Sequence, residues 1–580
     1  MKRSIYGLLS FIILASCSDK EDLSNYISLD DFNYRFQQYL VETFDFDKDG
    51  YISLEEAAGI KELDCSGNSL YSLQGIQYLT NLEKLTCSNN YITLLNVSSN
   101  TALKVLICDN NALDTINVKS NPALHTLICD GNNITELDVS KNPALEILSC
   151  TSGSGLKSLL MSQAIKTMDI RGHQMSSLDV SENRNLKELY CGGANLTDLN
   201  VSGTALEILD CSEGKLTRLN LNGCTLLKSL TCDGDDLSLD LSDFANLDKL
   251  YANSIIYLDI SRSPQLKILH CTNSRLTNLN LTHNQALEEL KLTGTDLGTI
   301  DLSNNLQLVS VDLGRSLKQS MLDLSNRKAL KKLTSGRGEW TLESLNLSGC
   351  TALENINLEF GALQTLNISG CQALTTLICH NSQLTEINLM GCTELLSLDC
   401  SGNNLTEIEL ENCTKLINLN CSGNQMSRLR TKSANLITIN CINNLITAIE
   451  VSNYAGIKEL YCSDNKLTTL NLADCSSLIE LDCRNNLLLE SLILTDCKVL
   501  ESLHSTNCSL TKLDVSQCPA LTYLYCAANR LQPSLDVSKC LILKELNCTF
   551  NPGLTELILN QNHTINPLHI DAHTQISLVN

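Results

Sequence analysis

The chain has 580 residues, 43% of them hydrophobic but only 4% aromatic, with a single Trp. Such a composition excludes a core organised around a few large rings and asks for many similar layers of small aliphatic side chains. A formal charge of −23, from 65 acids against 42 bases, excludes nucleic acid as the main partner, because phosphate binding needs a basic surface. Seven prolines and no long charge run exclude a largely disordered chain.

Residues 1–16 read as a signal peptide. Lys2 and Arg3 precede an apolar run from Tyr6 to Leu14, which is too short to remain as a membrane-spanning helix. The run ends in Leu14-Ala15-Ser16-Cys17, which resembles a bacterial lipobox with Cys17 as the lipidated first residue of the mature chain. Residues 17–28 form an acidic tether. Its Ser18-Asp19-Lys20-Glu21-Asp22 resembles the export tag of some Gram-negative surface lipoproteins. The expected location is the outer membrane, facing outward, held by acyl chains alone.

Residues 29–60 read as a small helical, EF-hand-like cap. Phe32, Tyr34, Phe36, Tyr39, Leu40 and Phe44 recur at helical spacing. The stretch 45–56 then fits D-x-[DN]-x-[DN]-G-x5-E at every fixed position. Asp45, Asp47 and Asp49 offer hard carboxylate oxygens, and Gly50 makes the sharp turn. Tyr51 offers its carbonyl, Ser53 binds directly or through water, and Glu56 closes the shell. The expected cofactor is a structural Ca2+ bound weakly, with Kd on the order of 10⁻⁴–10⁻³ M, as in extracellular modules.

From residue 61 to 565 the chain is one repeat of 21 residues, L-x-x-L-x-C-x-x-N-x-L-T-x-L-D-V-S-x-N-x-x, in about 24 copies. It matches the leucine-rich-repeat template with Cys at the third apolar position. Cys fills 17 of the 24 such positions, as at Cys129, Cys400 and Cys421. Alternation places Leu and Cys on one face of a short strand, which must stack on its neighbours to be buried. The expected fold class is therefore mainly β: a solenoid of short parallel strands, with a second extended segment on the far side and little helix. Stacked coils hold equivalent Cβ atoms about 4.8 Å apart and pointing the same way, whereas a disulfide wants them facing and closer. The ladder cysteines are accordingly expected as buried thiols. Nine more cysteines replace the Asn at the position of Asn142, and Cys508 replaces an Asn of the other ladder, that of Asn90, Asn111 and Asn132. Between 150 and 382 most of that ladder is lost, so less regular turns are expected there. Trp340 falls at a Leu position and is expected to pack. Residues 566–580 are assigned as a C-terminal cap.

This repeat with its stacked cysteines resembles the internalin J type of bacterial leucine-rich-repeat surface protein, over residues 61–565. The resemblance implies ligand contact through the concave strand face. The lipobox, and the lack of a C-terminal sorting signal, depart from that family and leave the kind of receptor open. No C-x-x-C, G-x-S-x-G or phosphate loop is present, and no catalytic set emerges, so an enzyme is not expected. Binding should fall on the outward strand position before the ladder residue, which holds Tyr190, Tyr251, His270, Tyr461, His504 and Tyr525 among several aspartates. The expected function is protein binding in adhesion by a monomer. Glycan or nutrient capture for a transport system, or a purely structural surface role, are the alternatives.

Overall fold

The computed structural model describes residues 27–151, 155–193, 195–295, 297–314, 317–336, 341–358, 361–450, 455–473 and 475–580. The signal peptide, Cys17, most of the tether and Trp340 lie outside the described residues. The chain divides into two compact units, Met1–Asp233 and Gly234–Asn580. Both are built from turns of a parallel β-solenoid, about 24 in all and spaced about 21 residues apart. No helix among the described residues is long and apolar enough to cross a membrane.

The first unit opens with a short 3-10 turn, Leu29–Asp31, and two helices, α1 (Tyr34–Phe44) and α2 (Leu54–Gly59). Helix α1 begins at Tyr34 because the Asn33 side chain accepts from the amides of Arg35 and Phe36, capping the first turn. Its Phe36 and Leu40 are fully buried. Phe32 sits 6.1 Å from the Tyr78 ring, against Gly75, whose φ of 108° and lack of a Cβ leave room for the phenyl group. The Tyr39 hydroxyl donates to the Asp64 carbonyl, fixing α1 to the first strand of the solenoid.

Most turns then contribute a three-residue strand whose middle residue is buried. In the first unit Leu63, Leu85, Leu106, Leu127, Leu148, Met168 and Leu189 stand in register on successive strands. In the second the column runs from Leu250 through Leu398 and Leu503 to Leu546, with the half-buried Leu568 in register beyond it. The ladder residue follows each strand and continues the pairing: the Cys87 amide donates to the Ile107 carbonyl at 2.8 Å, and that of Cys400 to Asn420 at 2.9 Å. The ladder cysteines are buried. Burial pushes the Cys65 and Cys400 thiols up to about 12, so the nucleophilic thiolate is absent at neutral pH. Ser335 is the one ladder residue that is only half-buried. The far-side segment also pairs in parallel, as Asp198–Asn200 with Arg218–Asn220 and Thr365–Asn367 with Glu386–Asn388.

Two asparagine columns satisfy the turns between these strands. In the first, Asn132 donates from Nδ2 to the carbonyls of Cys108 and Cys129, both at 3.0 Å, and accepts the Leu113 amide on Oδ1. Asn90, Asn111, Asn403, Asn424, Asn465 and Asn551 repeat the pattern. In the second column, Asn121 and Asn142 each donate to two carbonyls of the preceding turn, but their Oδ1 atoms are buried without a partner. The cysteines at this second position answer that mismatch. Cys224 donates Sγ–H to the Val201 carbonyl at 3.0 Å, and Cys350 to Leu324 at 3.2 Å. A thiol gives a weaker bond than an amide but leaves no strong acceptor stranded. Arg327 does the same donor work for the Leu302 carbonyl at 2.7 Å.

Where the first asparagine column fails, the strand pairing runs on around the bend. Lys249–Asp259 is a single strand of 11 residues covering both the strand and the far-side segment of its coil. Ile208–Leu216 similarly runs for nine. Ile255 and Gly214 occupy the Asn positions of these coils, yet the bend survives: Ser254 and Glu213 take φ 53° and 61°, and the Ile255 amide donates to Ser274 Oγ at 3.2 Å. His173 is an exception within this tract. Its Nε2 donates to the Cys191 carbonyl at 2.8 Å while Nδ1 accepts the Met175 amide at 3.0 Å, so a neutral imidazole reproduces both halves of an asparagine amide.

Two outcomes follow from this packing. Cys400→Ala should cost about 1–2 kcal/mol in chemical denaturation, from one small apolar side chain, and Cys400→Asp far more, because its charge would be buried unpaired. Native protein should resist thiol alkylation at Cys129, Cys400 and Cys421, and label there once denatured without reductant. His173 titrates with the opposite sign to most stabilising histidines. Burial holds its pKa below the usual value, so below about pH 6.5 the unfolded chain binds a proton that the native chain refuses. Stability should therefore fall as pH falls through that range, and His173→Asn should flatten that part of a thermal-melting profile.

Candidate functional site

Two places gather chemistry. The first is the loop between α1 and α2. Asp45, Asp47 and Asp49 bring carboxylate oxygens within 4.8 Å of one another. Backbone amides organise them: Lys48 and Gly50 donate to Asp45 at 2.6 and 2.9 Å, Asp49 to Asp47 at 3.2 Å, and Tyr51 to Asp49 at 2.8 Å. Gly50 takes φ 89°, the left-handed turn expected of it. Glu56 reaches back to accept the Phe46 and Ser53 amides, both at 2.9 Å, and the Ser53 hydroxyl caps α2. The Asp49 amide pulls the Asp47 carboxyl down, but desolvation and the adjoining Asp45, Asp49 and Glu56 carboxyls push it up overall. A closely packed set of oxygens, with neither sulfur nor imidazole, fits a hard cation such as Ca2+.

The second is the outward face of the strands, where the structure divides the six predicted residues into three groups. Tyr190 stands in the first unit, in register with Asp169 on the preceding strand. The Arg171 guanidinium lies over its ring at 5.6 Å and bonds Asp169 at 2.7 Å. In the second unit Tyr251 and His270 are neighbours, edge to face with ring centres 4.9 Å apart, and His270 Nε2–H donates to Glu289 at 2.9 Å. Tyr461, His504 and Tyr525 form the third and largest group. They stand in one row with Asp482, on four consecutive strands.

Each member of that row is held by a local partner. The Tyr461 hydroxyl donates to Glu480 at 3.0 Å, and that of Tyr525 to Glu545. Asp482 is buried and takes a two-pronged bond from Arg484, at 3.0 Å from Nε and 2.8 Å from Nη2. The His504 ring stacks on Tyr525 with centres 4.6 Å apart and planes 26° from parallel. Burial and the Glu480 bond push Tyr461 up to about 12; the Glu545 bond and burial do the same to Tyr525. Both phenols thus stay protonated donors. Burial lowers His504, which keeps it neutral at pH 7.

Glu480, Glu545 and Tyr523 belong to this face and were not among the sequence candidates. They were legible, because residues two apart on a strand point the same way. Phe550 carried no such signal. It is 74% exposed and takes φ 59°, at a position filled on other turns by Gly402, Gly423, Asn443 or Asn507. A bulky side chain in the left-handed region costs roughly 1–2 kcal/mol. The Asp571 carboxylate holds it there by accepting the Phe550 and Asn551 amides, both at 2.9 Å.

No protein-family model matches the chain, and no curated protein does. Solved structures do. The plant peptide hormone receptor RGFR1, in complex with RGF2, is similar over 90% of this chain and 96% of that one, at 16% identity and a TM-score of 0.57. The PEPR1–AtPEP1 structure is similar over 86% and 82%, at 18% identity and a TM-score of 0.52. The functional domain of InlJ from Listeria monocytogenes, which includes a cysteine ladder, is similar over 68% and 70%, at 25% identity and a TM-score of 0.38. The fold is that of the leucine-rich-repeat proteins.

Replacing Asp45 and Glu56 together by Ala should remove calcium binding and loosen the cap over the first turns. Titration calorimetry giving the same isotherm for the variant and its parent would rule the cation site out.

Proposed function

We propose that this protein is a cell-surface lipoprotein that binds a protein ligand through the strand face of its solenoid, and that the binding serves adhesion. The observation that carries the reading is the row Tyr461–Asp482–His504–Tyr525. Four consecutive strands present side chains held by local partners, Tyr461 by Glu480, Asp482 by Arg484 and His504 stacked on Tyr525, the kind of anchor on which binding energy concentrates. RGFR1 and PEPR1 share the fold, and the structure of RGFR1 is that of a complex with RGF2. Only the use of the solenoid as a binding scaffold carries over.

In this reading Cys17 carries the lipid that holds the chain in the outer membrane, and the acidic tether lifts the solenoid off it. The loop at Asp45, Asp47 and Asp49 holds a Ca2+ that stiffens the cap over the first turns. A ligand then meets a rigid row whose spacing is set by the strands, so little order has to be created on binding.

The test is capture of surface-protein fractions and glycan arrays by the immobilised chain, with Tyr461→Ala/Tyr525→Ala alongside. The double variant should weaken capture of a protein ligand more than about tenfold, as expected for two hot-spot aromatics. Protein capture that survives both changes would remove this face as the site. Capture of glycans alone, lost in the double variant, would replace adhesion by glycan binding.

A further inference from the structure

The same face has a chemical bias that narrows its ligand. The first and third positions of five consecutive strands hold Glu459 and Tyr461, Glu480 and Asp482, Ser502 and His504, Tyr523 and Tyr525, and Glu545 and Asn547. These ten positions carry four carboxylates, three phenols and one imidazole, and not one Lys or Arg. The bases next to them in sequence are Lys458 and Lys544, each just ahead of its strand, and Arg484, which is already committed to Asp482.

The molecule itself shows what such a surface accepts. At Tyr190 a tyrosine and a carboxylate on adjacent strands hold a guanidinium between them: Arg171 lies over the ring at 5.6 Å while bonding Asp169 at 2.7 Å. At the other end of the chain Arg35 lies over Tyr71 at 5.8 Å. Tyr461 with Glu480, and Tyr525 with Glu545, repeat the pairing of ring and carboxylate on neighbouring strands. Among the described residues no guanidinium lies over either of these rings. A carboxylate has lone pairs left after one phenol bond, and a tyrosine face attracts a cation.

We propose that this face takes a cationic segment of its protein ligand, with Arg or Lys side chains laid over Tyr461 and over the stacked His504–Tyr525 pair and bonded to Glu480 and Glu545. Tyr523, 38% exposed, extends the aromatic floor beside them. This rests on the strand face being the binding face. Arginine suits it better than lysine, because a planar guanidinium can stack on a ring and fork onto a carboxylate at once.

The probes are three labelled peptides of equal length on a Gly/Ser backbone, bearing Arg, Glu or no charge, titrated into the full chain at low and moderate salt. The Arg peptide should bind, more weakly as salt rises, and the other two should not. Glu459→Gln/Glu480→Gln/Glu545→Gln should weaken it about tenfold or more. Glu386→Gln/Glu407→Gln/Glu490→Gln removes equal charge from exposed positions off this face, and should change affinity by less than about twofold. Equal losses in both triple variants would mean that net charge alone draws the peptide, and would overturn the proposal, as would no binding of the Arg peptide. Binding of a neutral or acidic partner that is lost in Tyr461→Ala/Tyr525→Ala but kept in the first triple variant would leave the strand face standing and remove its cationic ligand. Arg-peptide binding untouched by the tyrosine changes would remove the face itself.

Discussion

The constraint on which everything else depends is the need to pair the backbone groups of a buried turn. A coil of about 21 residues is too short to hold a full helix on its far side, so it must double back within a few residues of each strand. The carbonyls at that bend face the interior, where an unpaired one costs on the order of 1–3 kcal/mol. On the regular turns outside 150–382 an asparagine answers this. Asn132 spans two coils, giving protons to Cys108 and Cys129 and taking one from Leu113. The amide therefore acts as a rivet between neighbours, and the stacking it enforces puts the Leu and Cys side chains in contact. With apolar burial worth roughly 25 cal/mol per Å², the leucine column supplies the driving force, while the asparagines dictate its spacing.

The cysteines acquire a second meaning in this light. Those of the main ladder fill volume. Those at the second asparagine position replace a group with one proton donor too useful to lose and one acceptor that finds no partner. Asn121 and Asn142 keep the orphaned oxygen; Cys224 and Cys350 give it up. Sulfur thus fills volume in both columns, and in both its S–H reaches a neighbouring carbonyl, as from Cys129 to Ser149 at 3.4 Å and from Cys224 to Val201 at 3.0 Å.

Most of the architecture was legible from the period. Leu every few residues and Asn three after the ladder Cys dictate strand, face and turn, and Asn403 and Asn424 sit as that rule requires. Where the rule lapses, composition is mute about what replaces it. Nothing in Ser254-Ile255 announces that the Ile255 amide finds Ser274 Oγ on the next coil, because that partner lies 19 residues away in sequence. The aromatic positions of the face were legible one by one, since spacing fixes their row. Their contacts were not. That Tyr525 bonds Glu545 and not its own neighbour Tyr523 depends on the stagger between coils, which only three dimensions supply. Phe550 was hidden for a different reason: its backbone conformation is that of a glycine, and its residue type argues against it.

Asp571 has a consequence for how far a local change can spread. On most earlier turns the amide two residues past the ladder position bonds the main-chain carbonyl of the following coil, as Ala528 does to Thr549 at 2.9 Å, while that of Glu213 bonds the Asp233 carboxylate. At Phe550 the same amide meets the carboxylate of Asp571, so a side chain takes the place of that residue's own carbonyl. The last coil is still paired in parallel on both faces, Leu546 with Leu568 and Leu557 with Ile576. Interior coils bond one another through main-chain groups, and each touches only its neighbours. A change at Asp571 is therefore felt by the turn at Phe550 and Asn551 and not by the coils further back.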